Sequence, residues 1–163
     1  MKSFGVLTFL LALATASPVA VSPAESSLAL QKRDTEVIYL ANCRSLTSCC
    51  APEGHYSVIA YYPASGQSQN GEVPASNNVC TVSSSNYVWW EQDGQHCSFP
   101  TGVTFTTHLD SDAASRPLYS WAGWGSNGYK NFNCYKDNGR KLYETSGPEW
   151  AKPCSSIYYC IPQ

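Results

Sequence analysis

His108 stands two residues before Asp110, and Asp112 follows two residues later. An imidazole beside carboxylates can move protons near neutral pH or hold a metal ion. The same stretch also reads as a turn, where Asp side chains cap backbone N–H groups, and that is the reading we favour. His96 adjoins Cys97 and reads as a surface strand histidine; His55 opens a strand. Glu91, Asp93 and Glu144 are carboxylates of the type that hydrolyses glycosides. That chemistry needs a cleft and a defined separation between two such groups, and the sequence shows neither. Gly-x-Ser-x-Gly, His-Glu-x-x-His and a Gly-rich phosphate loop are all absent. No catalytic residue and no cofactor are assigned. Cys-x5-Cys occurs twice but Cys-x2-Cys does not occur, so no metal ligand set is assigned either.

Aromatic side chains are the more informative chemistry. From residue 34 onward, 19 of 130 residues are Phe, Tyr or Trp, five of them Trp. Tyr and Trp join apolar area to a polar handle, which suits sugar stacking and protein interfaces. Trp89 and Trp90 are neighbours, so on a strand one faces the core and the other faces out. Trp121 and Trp124 also fall on opposite faces of a regular strand. These four tryptophans are the candidate ligand-binding residues; a large aromatic core is the competing explanation.

The setting is extracellular. Met1-Lys2, the apolar run from Phe4 to Ala14 and Ala14-Thr15-Ala16 read as a signal peptide over residues 1–16. The run is too short to span a bilayer. Residues 17–33 read as a propeptide ending in the dibasic processing site Lys32-Arg33, leaving 34–163 as a single cysteine-rich β domain. All eight cysteines lie there: Cys43, Cys49, Cys50, Cys80, Cys97, Cys134, Cys154 and Cys160. An even number in a secreted chain reads as four disulfides. Spacing does not choose the pairing, although Cys43 with Cys154 or Cys160 would join the termini. Adjacent Cys49 and Cys50 are expected to bond elsewhere, since a bridge between neighbours strains the peptide. Seven Lys/Arg against eleven Asp/Glu give this part a net charge of −4. That excludes nucleic acid and anionic membrane as main partners, because both need clustered positive charge.

The elements that must position these residues are short strands. β-prone runs occupy 35–41, 55–62, 79–83, 102–109, 118–125 and 157–160, and no long run has a 3.6-residue period. Residues 64–78 are rich in Ser, Gly, Gln, Asn and Pro and read as a long surface loop. Asn138-Gly139 predicts a type I′ hairpin joining 131–137 to 140–145, with Tyr135 facing Leu142 and Cys134 facing Tyr143. Asp93-Gly94 predicts a second hairpin that carries Trp89 and Trp90. The pattern implies an all-β fold: an antiparallel sandwich or partly closed barrel, disulfide-stabilised, with at most one short helix.

Glu91, Arg116, His96 and His108 supply the residue types of the small guanyl-specific fungal ribonucleases, but that family's helix and motif context are missing here. The leader, Lys32-Arg33, Ile38-Tyr39-Leu40-Ala41-Asn42-Cys43, Phe132-Asn133-Cys134-Tyr135-Lys136-Asp137 and Ser156-Ile157-Tyr158-Tyr159-Cys160 together resemble the small secreted cysteine-rich proteins of filamentous ascomycete fungi. That resemblance implies an effector-like binding role and no known activity. The expected function is a secreted binding protein without catalytic activity. Its expected partner is a host or cell-wall protein or glycan. The alternatives are a lectin-like carbohydrate-binding module and, more remotely, a small secreted hydrolase.

Overall fold

Residues 37–43 are Val, Ile, Tyr, Leu, Ala, Asn and Cys, apolar on both alternating faces, as a strand covered on both sides must be. In a computed structural model, which describes residues 35–45, 54–147 and 150–163, they form the core of β1 (Val37–Ser45). The other strands are β2 (Gly54–Tyr62), β3 (Val79–Ser83), β4 (His96–Ser98), β5 (Thr104–Leu109), β6 (Trp121–Ser126), β7 (Asn131–Lys136), β8 (Lys141–Gly147) and β9 (Trp150–Pro162). One short helix, α1 (Ser65–Gln69), follows β2. The described residues all belong to the unit Asp34–Gln163. The signal peptide, the propeptide with Lys32 and Arg33, and Cys49 and Cys50 lie outside the described residues.

The strands make one antiparallel sheet in the order β3-β2-β1-β9-β7-β6-β5-β4, with β8 also paired to β9. The sheet curls until its two end strands come together, and the Cys80–Cys97 disulfide links β3 to β4 across that seam. The result is the expected all-β fold, a nearly closed barrel. Its interior holds Ile38, Leu40, Ile59, Trp90, Phe105, Leu109, Phe132 and Tyr158. Phe105 and Phe132 meet edge to face at 5.4 Å, an arrangement favoured by the ring quadrupoles. β5 alternates as its sequence predicts, with Phe105, Thr107 and Leu109 inward.

A second core lies on the outer side of β1 and β2. Val37, Tyr39, Ala41 and Cys43 pack there with Val58, Tyr62, Leu142 and Tyr143. The 64–78 stretch helps to cover it rather than standing free. α1 packs on β2 and β8, Tyr39 Oη bonds Ser68 Oγ at 2.9 Å, and Tyr62 donates to the Glu72 carbonyl at 2.8 Å. The reason is the apolar outer face of β1, which would otherwise meet water.

β9 is the strand on which the sheet is stitched. Cys154 lies opposite Cys43 of β1, and Cys160 opposite Cys134 of β7; both facing pairs are disulfides. Cys43–Cys154 ties the first strand to the last, as the placement near the termini suggested. All six described cysteines are therefore paired among themselves. The pairing expected of Cys49 and Cys50 lies outside the described residues.

The Asn138-Gly139 hairpin does not form. β7 runs along 158–162 of β9, and β8 continues in the same direction along 150–155. The two are one interrupted strand, and the chain reverses between Gly147 and Trp150 instead. Residues 137–140 bow outward while both ends stay tied to β9: the Asp137 N–H donates to the Ile157 carbonyl, and the Ser156 N–H to the Arg140 carbonyl. A type I′ turn needs positive φ at both central residues. Here Gly139 has φ 74° while Asn138 does not; its Oδ1 instead accepts the Arg140 N–H at 2.9 Å. Long-range pairing to a thirteen-residue β9 overrides the local turn preference. Tyr135 consequently faces Tyr159 and Trp121, not Leu142.

The buried tyrosines make the fold sensitive to alkali. Burial pushes up the phenols of Tyr56, Tyr62, Tyr143 and Tyr158. It also raises Tyr61, whose O–H donates to Glu36, to about 12. Phenolate then forms first in the unfolded chain, near the ordinary value of 10.0. This contribution to stability is complete below that pH and is lost as pH rises toward about 12. Urea midpoints are expected to stay level from neutrality to about pH 10 and to fall steeply above it. A midpoint at pH 11.5 equal to that at pH 9 would contradict this origin.

Candidate functional site

The outer face of β5, β6, β7 and β9 carries the exposed rings of Trp121 and Trp124, and a single bulge turns both to that side. In β6, Trp121 pairs with Tyr135 and Gly123 with Cys134, so Ala122 is an extra residue. An extra residue flips the alternation of everything after it. Trp121 and Trp124, expected on opposite faces, therefore both point outward, at 45% and 40% exposure. Gly123 makes the bulge possible. Its φ is 139°, and a Cβ there would lie 2.3 Å from the His108 carbonyl oxygen.

Two rows of side chains cross this face. In the first, Tyr39, Tyr159, Tyr135 and Trp121 lie directly opposite one another on β1, β9, β7 and β6. Tyr135 and Tyr159 stack at 5.5 Å, and Arg116 covers Trp121 at 5.8 Å. Arg116 is itself clamped by Asp110 at 2.7 Å and Asp112 at 2.6 Å. The two aspartates that looked available to His108 thus hold an arginine. In the second row Ile161, Asn133, Trp124 and His108 are successive cross-strand partners. His108 stacks on Trp124 at 4.2 Å and its Nδ1 meets Asp93 Oδ1 at 2.7 Å.

The predicted Asp93-Gly94 hairpin is absent: residues 87–92 form a loop with no strand. Trp90 leaves that loop for the barrel interior, 2% exposed, and donates its Nε1–H to Asn42 Oδ1 at 3.0 Å. Ser57 donates to the same oxygen at 2.8 Å. Trp90 is therefore a core anchor and not a ligand-binding residue. Trp89 points out at 68% exposure, away from any row. A sequence pair of tryptophans does split between core and solvent, but on a loop. Tyr135, Tyr159 and Tyr119 were missed as site residues. The signal for the first two was their alternation with the buried Cys134 and Cys160.

The histidines have separate polar partners. His96 and His108 lie on the open outer side of neighbouring strands, and His96 Nδ1 bonds the Gly94 carbonyl oxygen at 2.9 Å. Glu91 accepts a hydrogen bond from Tyr158, while Arg116 belongs to the aspartate clamp. None of these four residues hydrogen-bonds another of the set: their partners are Gly94, Asp93, Tyr158 and the aspartate pair. A broad cleft of about 630 Å³ lies beside His108, lined also by Thr106, Ser126 and Tyr129. Among the described residues, no three His, Cys, Asp or Glu side chains meet as a metal site would require. No described helix is long and apolar enough to cross a membrane.

Fold and surface together define a disulfide-closed β-barrel with a flat aromatic face, a class that its three disulfides associate with an oxidising, extracellular setting. No protein family matches the chain, and no curated protein or solved structure is significantly similar to it.

Proposed function

We propose that this chain is a secreted binding protein without catalytic activity, effector-like in the manner of the small cysteine-rich proteins of filamentous fungi, and that it engages its partner with the outer aromatic face. The observation that carries this reading is the pair Trp121 and Trp124, held outward on one sheet face by a glycine-dependent bulge. Exposed tryptophans flanked by Arg116 and His108 are the kind of residue that dominates binding interfaces. The partner is a host or cell-wall protein or glycan. Neither a nucleic acid nor a membrane suits a surface of net negative charge. A lectin-like reading gains support from the way the rings are presented. Trp124 offers a flat face backed by His108, and sugar C–H groups stack on such faces.

The test uses labelled chain starting at Asp34, applied to cell-wall preparations and a glycan array. Binding to at least one surface is expected. The double variant Trp121→Ala/Trp124→Ala should lose at least tenfold in affinity, about 1.4 kcal/mol, with little change in melting temperature. Binding that survives the double substitution, or binding to neither surface, overturns the reading.

A further inference from the structure

The first aromatic row does not end on a flat surface. Beyond Tyr159 it runs into a cleft of about 420 Å³, within the roughly 300–1,000 Å³ of small-molecule sites. The cleft is formed where residues 137–140 bow away from β9. Its walls are Tyr159, Tyr39 and Tyr119, and its polar groups come from Asp137, Asn138 and Arg140, with Gln69 at one side.

Tyr119 is the informative residue. It has φ 64° and is the non-glycine residue at positive φ among the described residues. That conformation costs an L-residue about 1–2 kcal/mol, and the strain of such residues gathers at functional sites. Its ring fills no core; it is 56% exposed at the cleft. Backbone bonds hold it there: its N–H donates to the Lys136 carbonyl at 2.8 Å, and the Lys136 N–H to the Ser120 carbonyl at 3.0 Å. Asn138 Nδ2 donates to Tyr119 Oη at 2.8 Å, which leaves the phenol proton free to point into the cleft.

The polar groups are equally fixed. Asp137 is buried, with one carboxylate oxygen accepting the Asn138 N–H at 2.8 Å and the other 3.8 Å from Arg140 Nε. Arg140 is locked by the Ser68 carbonyl at 3.1 Å and Tyr39 Oη at 3.0 Å, and lies over the Tyr39 ring at 5.3 Å. The opposite charges balance. A free anion would meet Asp137 and a free cation would meet Arg140. A neutral ligand with many hydroxyls meets both donors and acceptors, beside rings on which its C–H face can lie.

We infer that the Tyr119–Asp137–Asn138–Arg140 cleft binds one unit of a neutral oligosaccharide, with Tyr119 as its stacking platform and the Tyr159–Tyr135–Trp121 row as the track for further units. This deepens the binding-protein reading and rests on it. Neighbouring strands are about 4.8 Å apart, so the row offers successive rings at a short, regular interval away from the cleft.

The experiment titrates soluble neutral oligosaccharides (glucan, mannan and chitin fragments) into the isotope-labelled chain and follows amide shifts. Shifts centred on Tyr119, Asp137 and Asn138 are expected for at least one of the three. Tyr119→Gly is the decisive variant. It relieves the positive φ, so its melting temperature should rise or hold, while affinity falls at least tenfold; a merely structural Tyr119 would not separate the two. Asp137→Asn should weaken binding without unfolding the chain. Shifts confined to Trp124 and His108 would overturn the cleft while leaving the aromatic-face reading standing. In Trp121→Ala/Trp124→Ala the shortest fragments should still bind the cleft while longer ones lose affinity; equal loss for short and long fragments would overturn the division between cleft and track. Unchanged affinity in Tyr119→Gly, preference for sulfated or phosphorylated glycans, or no binding of any of the three overturns the inference.

Discussion

Full reduction of the disulfides is expected to unfold the barrel rather than loosen it. The three bridges close stretches of 111, 17 and 26 residues. Loop-closure entropy assigns them about 5, 3 and 3.5 kcal/mol, which together rival the ~5–15 kcal/mol that hold a whole domain. Their positions sharpen the ranking. Cys43–Cys154 and Cys134–Cys160 join strands that already share hydrogen-bond ladders, so their effect is on the unfolded chain. Cys80–Cys97 joins β3 and β4, which share no ladder, and the barrel interior lies behind that seam. Removing Cys43–Cys154 by paired alanines should therefore lower the guanidinium midpoint most. Removing Cys80–Cys97 should give the greatest gain in binding of an apolar dye before global unfolding. A midpoint unmoved by complete reduction would contradict the framework.

Gly123→Ala should be the most damaging single methyl group added to this chain. The new Cβ would sit 2.3 Å from the His108 oxygen and 2.7 Å from Leu109 Cα, both backbone atoms that cannot swing aside. Overpacking costs about 1–3 kcal/mol, and a φ reserved for glycine adds about 1–3, so a loss on the order of 4 kcal/mol is expected. Gly94→Ala is the control. Its φ is +79° but nothing lies within 4 Å, so only the backbone strain of about 1–2 kcal/mol applies. Equal losses in the two variants would show that the close approach to β5 does not matter. Surviving folded Gly123→Ala protein should also lose the matched outward placement of Trp121 and Trp124, read as a blue-shifted tryptophan emission.

Strand content, the presence of disulfides and the inward face of β5 were legible in the residues themselves, while the pairing of the cysteines was not. Alternation at Phe105, Thr107 and Leu109, and the double-sided apolar run of β1, are local patterns with period two. They survive whatever the strands pair with. The turns were not legible in this way. Asn138-Gly139 and Asp93-Gly94 both carry strong hairpin chemistry, yet neither closes a hairpin, because β9 competes for β7 and β8, and the barrel interior takes Trp90. A local turn preference yields to a strand that offers two disulfide partners and a buried face.

The candidate site shows the same division. The sequence alone determined that rings would be abundant, and the alternation of neighbours on a strand pointed some of them toward solvent. It also determined the cysteines that hold those rings in place. Which rings face out was decided by tertiary structure. One extra residue at Ala122 turns Trp121 and Trp124 to the same side, and a four-residue bow at 137–140 opens the cleft beside Tyr119. Both are changes of register, and register depends on the partner strand, which no local stretch of sequence specifies.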